Sequence, residues 1–173
     1  MEGLEMILSR RSIRHFQEQP LKEEEIHRIL EAGMAGPSCV NARDWAFLVV
    51  TDRQRLIQMA EANGAPAEPL KRAALGILVC GDLKRAFSGA KEYWIIDASI
   101  AAQNMVLAAE ALGIGSVWLG TWPQMERVEQ QRKLFDLPDH IIPHSILAFG
   151  YSSKEAIGEK ILYEEDRVHR EKW

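Results

Sequence analysis

The sequence predicts helices packed on a β-sheet, of the α/β or α+β class with crossover connections, and three observations predict it. Short apolar, β-branched runs alternate along the chain with stretches of helical periodicity. No two of these runs are joined by the tight turn of a hairpin. One helical stretch, Tyr93 to Leu112, is apolar almost all round, as suits a helix enclosed by protein on every side.

The elements follow in order. Leu4, Ile7 and Leu8 recur at helical spacing between Glu2 and Arg10, so a short amphipathic helix opens the chain. A second helix runs from Leu21 to Ala35, with Ile26, Ile29, Leu30 and Met34 on one side and Glu23, Glu24 and Glu25 in the first turn, where the helix dipole favours them. "WAFLVVT" (45 to 51) is a buried strand, and Asp52 caps a helix from Arg53 to Asn63. Gly64, Pro66 and Pro69 mark 64 to 72 as a loop, after which "LGILVCG" (75 to 81) is a second strand. A polar stretch leads to the Tyr93 helix, which Gly113 stops by taking a left-handed conformation. "GSVWLG" (115 to 120) is a third strand, Pro123 opens a helix to Leu134, and "HSILAFGY" (144 to 151) is a fourth strand. Residues 152 to 173 form a charged tail in which Leu162, Tyr163, Val168 and Trp173 need a surface to bury against. A partner subunit is one candidate.

The 173 residues suit one domain with a sizeable core, so 1–173 is read as a single domain. With 47% hydrophobic and 27% charged residues the composition is globular, which excludes extended disorder. A net charge of -4 gives no overall cationic field for nucleic acid or anionic lipid, so any anion site is local. Cys39 and Cys80 lie outside any metal or disulfide spacing, and no metal site is expected. No apolar run approaches a membrane span and no signal-peptide layout opens the chain, which reads as cytoplasmic.

Against that acidic background "RRSIRHF", residues 10 to 16, stands out. In an extended backbone Arg10, Ser12 and Arg14 project on one side and Arg11 and Ile13 on the other; in a helix Arg10 and Arg14 still share a face. Guanidinium forks match phosphate oxygens and a serine hydroxyl adds a neutral donor, so a phosphate monoester fits. The competing reading is a solvated basic patch paired with nearby glutamates.

Together with "GPSCVNARDW" (36 to 45), "DASIAAQNMVLAAEALGIGSVWLG" (97 to 120) and "AFGY" before a basic tail, that segment resembles the nitroreductase family of FMN-dependent oxidoreductases. The ordered match spans nearly the whole chain. The resemblance implies an α+β, three-layer fold with a mixed central sheet flanked by helices, a homodimer exchanging its tails, and FMN at the subunit interface. By position, Arg10, Arg11 and Ser12 would hold the FMN phosphate or ribityl chain and Arg14 would face the pyrimidine edge of the ring, with Lys160 completing the phosphate site and Arg167 and Arg170 as alternatives. Pro37, Ser38 and Asn41, with Cys39 in the same loop, would meet the flavin from the second subunit; the competing reading of Gly36-Pro37-Ser38 is a helix terminator. Trp118, Leu119 and Gly120 would present a backbone N–H to the ring, against the alternative of a core tryptophan and a turn glycine, and Gln103 and Asn104 are as readily satisfied polar groups of the central helix.

The family often carries Gln-Pro where this chain has Arg43-Asp44, which removes a rigid proline and an amide and offers instead an Arg43–Asp44 pair gating the substrate pocket. The implied activity is ping-pong hydride transfer from NADH or NADPH to a small electron-poor acceptor such as a nitroaromatic or a quinone. No side chain is named as catalytic and no cysteine nucleophile is called for, since the cofactor carries the chemistry. The alternatives are a non-catalytic FMN-binding module, or a reductive dehalogenase or flavin-fragmenting enzyme of the same fold, for which the short stretch from Gly81 to Tyr93 leaves little room for a lid.

Overall fold

A computed structural model describes residues 3–154 and 162–173. The helices are α1 (Gly3–Ser9), α2 (Glu23–Met34), α3 (Arg53–Asn63), α4 (Tyr93–Ala111) and α5 (Met125–Leu134). The strands are β1 (Trp45–Val50), β2 (Leu75–Asp82), β3 (Gly115–Gly120) and β4 (Ile141–Gly150), arranged in the order β1-β2-β4-β3 with every neighbouring pair antiparallel. Each of the pairs β1–β2 and β3–β4 is linked through a helix. A parallel bridge between Ser12 and Ser116 at the outer edge of β3 makes the sheet mixed at that margin.

Side chains on the strands alternate between two cores. Leu75, Ile77 and Val79 of β2, with Leu147 and Phe149 of β4, pack against α2 and α4. Leu78, Cys80, Ile146, Ala148, Val117 and Leu119 face the opposite way, toward α3 and the segment after it. Covered on both faces, β2 is buried from Leu75 to Gly81, which is why it reads as an unbroken apolar run. Each wholly buried side chain such as Leu75, Ile77 or Leu78 stabilises the fold by about 1.5–3 kcal/mol.

Three elements differ from the sequence reading. Residues Ala65–Arg72 wind into 3-10 turns and bury Ala67 and Leu70, because Pro66 suits a helical first turn while Pro69 prevents a regular α-helix. Helix α5 begins at Met125, past Pro123, since the Gln124 N–H first closes a turn on the Thr121 carbonyl at 3.0 Å. Strand β4 starts at Ile141 and runs through Pro143, which a central strand ordinarily excludes; the register with β2 shifts between Val79 and Cys80, opposite the residue that has no N–H to give.

Where β2 ends, Gly81 lies under the Trp94 indole: an added Cβ would sit 2.4 Å from Cε3 and 2.7 Å from Cδ2. The rigid ring cannot yield as a flexible chain would. Gly81→Ala is therefore expected to lower stability by about 1–3 kcal/mol, measured by chemical denaturation; an unchanged midpoint would show that the tryptophan has room to move.

Candidate functional site

The arginine segment is held to the sheet at both ends. The Ile13 N–H donates to the Ser116 carbonyl at 2.8 Å and its side chain fills the space over Gly115, where a Cβ would come within 2.9 Å of it. Phe16 is buried against Gly150, and the Gln17 N–H and the Ser153 N–H close bonds of 2.9 and 3.0 Å with Tyr151 and His15 carbonyls. These two apolar anchors leave Ser12, Arg14 and His15 exposed, with Arg10 and Arg11 half-buried at the end of α1. The Ser9 hydroxyl, just before them, reaches Glu110 near the end of α4 at 3.4 Å.

Arg14 and His15 line an open cleft of ≈ 630 Å³ together with Arg53, Lys71, Arg72, Glu18, Glu68 and Pro69. Lys71 pairs with Glu68 at 3.0 Å and Arg53 donates to the Lys71 carbonyl at 2.6 Å, which fixes the cations relative to one another. Four permanent positive charges against two carboxylates give this cleft a local excess of positive charge in an acidic chain. Arg10 and Arg11 are not among its lining residues, so the structure joins Arg14 to cations that the segment 10 to 16 does not contain. Arg53, Lys71 and Arg72 went unnoticed in the sequence because they lie on α3 and on the turns before β2, and only the fold brings them to Arg14.

At the other end of β3, Trp118 is 36% exposed and its ring stands edge-on to His144 at 5.9 Å, so it is no core tryptophan. Leu119 points into the core and can offer a ligand only its backbone. Gly120 is exposed, and a Cβ there would meet nothing within 4 Å. Its carbonyl receives Asn63 Nδ2 at 3.2 Å and Arg127 Nη1 at 3.0 Å, while the Thr121 and Trp122 N–H groups both donate to the His144 carbonyl. The strand end is thus clamped yet bare on its open side. His144 itself lies between the Ser99 and Ser145 hydroxyls at 3.0 and 3.1 Å, and burial lowers its pKa to about 4, so it is neutral at physiological pH.

The loop from Gly36 to Asp44 carries positive φ at three residues with side chains, Val40 (46°), Asn41 (57°) and Arg43 (50°). It is held by the Arg43 N–H on Ser38 Oγ at 2.9 Å, by Arg85 Nε on the Arg43 carbonyl at 3.0 Å, and by the Cys39 N–H shared between the two Asp97 oxygens, both at 3.0 Å. Pro37, Val40 and Asn41 are exposed, while Ser38 and Cys39 are half-buried. Desolvation, then the Asp97 and Asp44 carboxylates, push the Cys39 thiol upward, which leaves it a poor nucleophile. The expected Arg43–Asp44 gate is not formed: the left-handed turn at Arg43 sends its guanidinium over the Trp45 ring, 5.3 Å from the centroid, while Asp44 is wholly buried. Asn104 is a satisfied polar group, donating to the Ala32 carbonyl at 3.1 Å and so closing the end of α2, whereas Gln103 is exposed. Lys160 lies outside the described residues; Arg167 and Arg170 are exposed in the tail.

Within one chain the loop and the arginine segment sit at opposite ends of α4. Asp97, which holds the loop, and Glu110, which meets Ser9, are about 20 Å apart at 1.5 Å of rise per residue.

A model of the nitroreductase family matches residues 7–77 and 63–151. A protein of Methanothermobacter thermautotrophicus that carries the provisional name NADH dehydrogenase/NAD(P)H nitroreductase is 43% identical over 173 residues, covering 100% of this chain and 88% of that one. The crystal structure of a similarly named protein from Parabacteroides distasonis superposes with a TM-score of 0.92 at 38% identity, covering 99% of this chain and 98% of the other. An FMN-dependent nitroreductase from Clostridium difficile gives 0.86 at 29% identity, covering 98% and 99%.

Proposed function

The chain belongs to the nitroreductase family, and from that premise we propose that it is an FMN-dependent oxidoreductase that draws electrons from NADH or NADPH and delivers them to a small electron-poor acceptor, a nitroaromatic or a quinone. The carrying observation is a cationic margin laid along the same strand as a bare, clamped glycine. From Ser116, the bridge partner of Ser12, β3 runs to Gly120, about 13 Å at the strand rise. The residues fit the cofactor: Ser12 and the flanking guanidiniums of Arg10 and Arg11 suit a phosphate, and the open side of Gly120 admits a flat ring against the backbone.

When bound, FMN supplies the two-electron chemistry, taking a hydride from a nicotinamide and returning electrons to the acceptor. The protein's part is to bind, orient and bias. Arg10 would offset the charge of the phosphate and Ser12 would donate a neutral hydrogen bond to it, and the cations gathered at Arg14 would favour negative charge on the pyrimidine side of the ring. Asn63 and Arg127 fix the Gly120 carbonyl and with it the peptide that would meet the ring. With His144 neutral between two serines, no strong acid stands beside Trp118. Residues 83–92 form turns only, which leaves the nicotinamide and the acceptor a common open approach in ping-pong order.

We place the cofactor between two copies of the chain. The tail supports this arrangement, since Leu162 (60%), Tyr163 (69%), Val168 (47%) and Trp173 (98%) are all exposed in the single chain. β1 is an edge strand beside a mixed cleft in which Leu30, Met34, Trp45, Phe47 and Val49 stand with Arg43, Asp82 and Arg85, and its apolar side chains give a partner's tail a surface to cover. The thiols Cys39 and Cys80 are free, which suits a reducing compartment, the cytoplasm, and no helix among the described residues is long and apolar enough to cross a membrane.

Anaerobic addition of NADH or NADPH to the FMN-loaded protein tests the enzyme reading. The yellow colour is expected to bleach and to return when a quinone or nitroaromatic is added. Flavin that binds but keeps its colour with both nucleotides would make the chain a binding module instead.

A further inference from the structure

Beneath the Cys39–Asn41 turn lie two carboxyl groups for which the reaction above has no use. Asp44 is 0% exposed, and neither of its oxygens has a hydrogen-bond partner among the described residues. Asp97 of α4 is 2% exposed and spends both oxygens on the Cys39 N–H. A carboxylate buried without a partner is costly, and two neighbouring carboxylates cannot both remain ionised cheaply. The other charged or titratable groups around them offer no relief. Asp82, at the end of β2, adds negative charge and gives Asp44 only its backbone N–H, to the Asp44 carbonyl at 2.6 Å. His140 is directed at Asp82, at 4.0 Å, Arg85 is spent on the Arg43 carbonyl, and Arg43 lies over Trp45. The Cys39 thiol is itself held protonated by its surroundings.

We infer that Asp44 and Asp97 share one proton and act as a positioning pair for the Cys39–Asn41 turn. With the proton in place, the Asp44 O–H faces the Asp97 carboxylate, which keeps its hold on the Cys39 N–H. When the proton leaves to solvent, two buried anions repel across the α4–loop contact and the hold loosens. The turn depends on that hold, because Val40, Asn41 and Arg43 occupy a backbone region that costs side-chain-bearing residues free energy and persists only under outside constraint.

Burial, then Asp97, raise the Asp44 carboxyl from 3.8 to about 6. The sign follows from linkage. Between about pH 4 and 6 the folded chain keeps a proton that the unfolded chain has released, so stability contributed by this group is present at acidic pH and lost as pH rises through the folded value. A shift of that size bounds the effect at roughly 100-fold in the folding equilibrium. The consequence for catalysis rests on the function proposed above: if the turn meets the partner's flavin, FMN is held more tightly below pH 6 than at pH 8.

Carboxyl carbon NMR and amide hydrogen exchange on the 173-residue chain, without added flavin, test the pair directly. One carboxyl is expected to titrate near pH 6, to vanish in Asp44→Asn and to fall toward the ordinary aspartate range in Asp97→Asn. Exchange at Cys39 and its neighbours, corrected for intrinsic rate, is expected to quicken by roughly 10-fold or more above that midpoint in the parent and to stay flat in Asp44→Asn. An Asp44 that titrates with ordinary aspartates, or a turn whose protection ignores pH, would overturn the inference. Neither readout needs a cofactor, so a failure of the FMN reading would leave it standing. Conversely, tight FMN binding beside a flat titration would reject the pair alone.

Discussion

Replacing Arg10 with alanine is expected to weaken FMN binding by about 1.5–3 kcal/mol, roughly 10- to 150-fold, while the fold is retained. The size follows from losing charge-assisted hydrogen bonds to a doubly ionised phosphate at the end of α1, where the chain supplies Arg10, Arg11 and Ser12 within three positions. The fold survives because Ile13 and Phe16, not the arginines, carry the burial of this segment. Arg10→Lys keeps the charge but loses the two-pronged donor, so it should fall between the parent and the alanine variant. The loss in Arg10→Ala should also flatten the salt dependence of binding. Equal flavin content in parent and variant, measured after extensive dialysis, would remove Arg10 from the phosphate site.

A comparable loss is expected from Gly120→Val, by a different route. The strand end tolerates the side chain, since a Cβ there meets no atom within 4 Å and valine suits a β-strand. Thermal stability should therefore stay within about 1 kcal/mol of the parent. In the proposed function the same open side is where the ring comes close to the backbone, and two added methyl groups would hold it away. FMN binding should fall by roughly 100-fold, and whatever flavin remains should be reduced far more slowly by NADH or NADPH. A valine variant that keeps both flavin and turnover would place the ring elsewhere.

Much of the scaffold was legible: burial on both faces makes β2 an unbroken apolar run, β3 reads off as a short apolar run although Trp118 and Gly120 are exposed, and Asp52 marked the start of α3, where its carboxylate accepts the Arg55 N–H at 2.9 Å. The start of β4 was hidden by Pro143, which signals a break unless a register shift on the neighbouring strand absorbs it. In the candidate site, residues adjacent in sequence, as in Arg10 to Arg14 and Trp118 to Gly120, could be proposed from the sequence alone. The site was not legible where the topology assembles it, as with Arg53, Lys71 and Arg72 around Arg14. Asp44 was hidden for another reason. A charged residue beside an arginine reads as a surface pair, and only the left-handed backbone at Arg43 parts the two side chains and sends the carboxylate inward.

If Arg10, Arg11 and Ser12 beside β3 hold FMN, an equilibrium titration of the flavin-free protein with FMN, read by the change in flavin fluorescence in parent and Arg10→Ala side by side, reveals it. One FMN is expected per chain, with the alanine variant shifted to weaker binding by at least about tenfold. Fluorescence that does not change at any ratio of protein to FMN, or two superimposable binding curves, would contradict it.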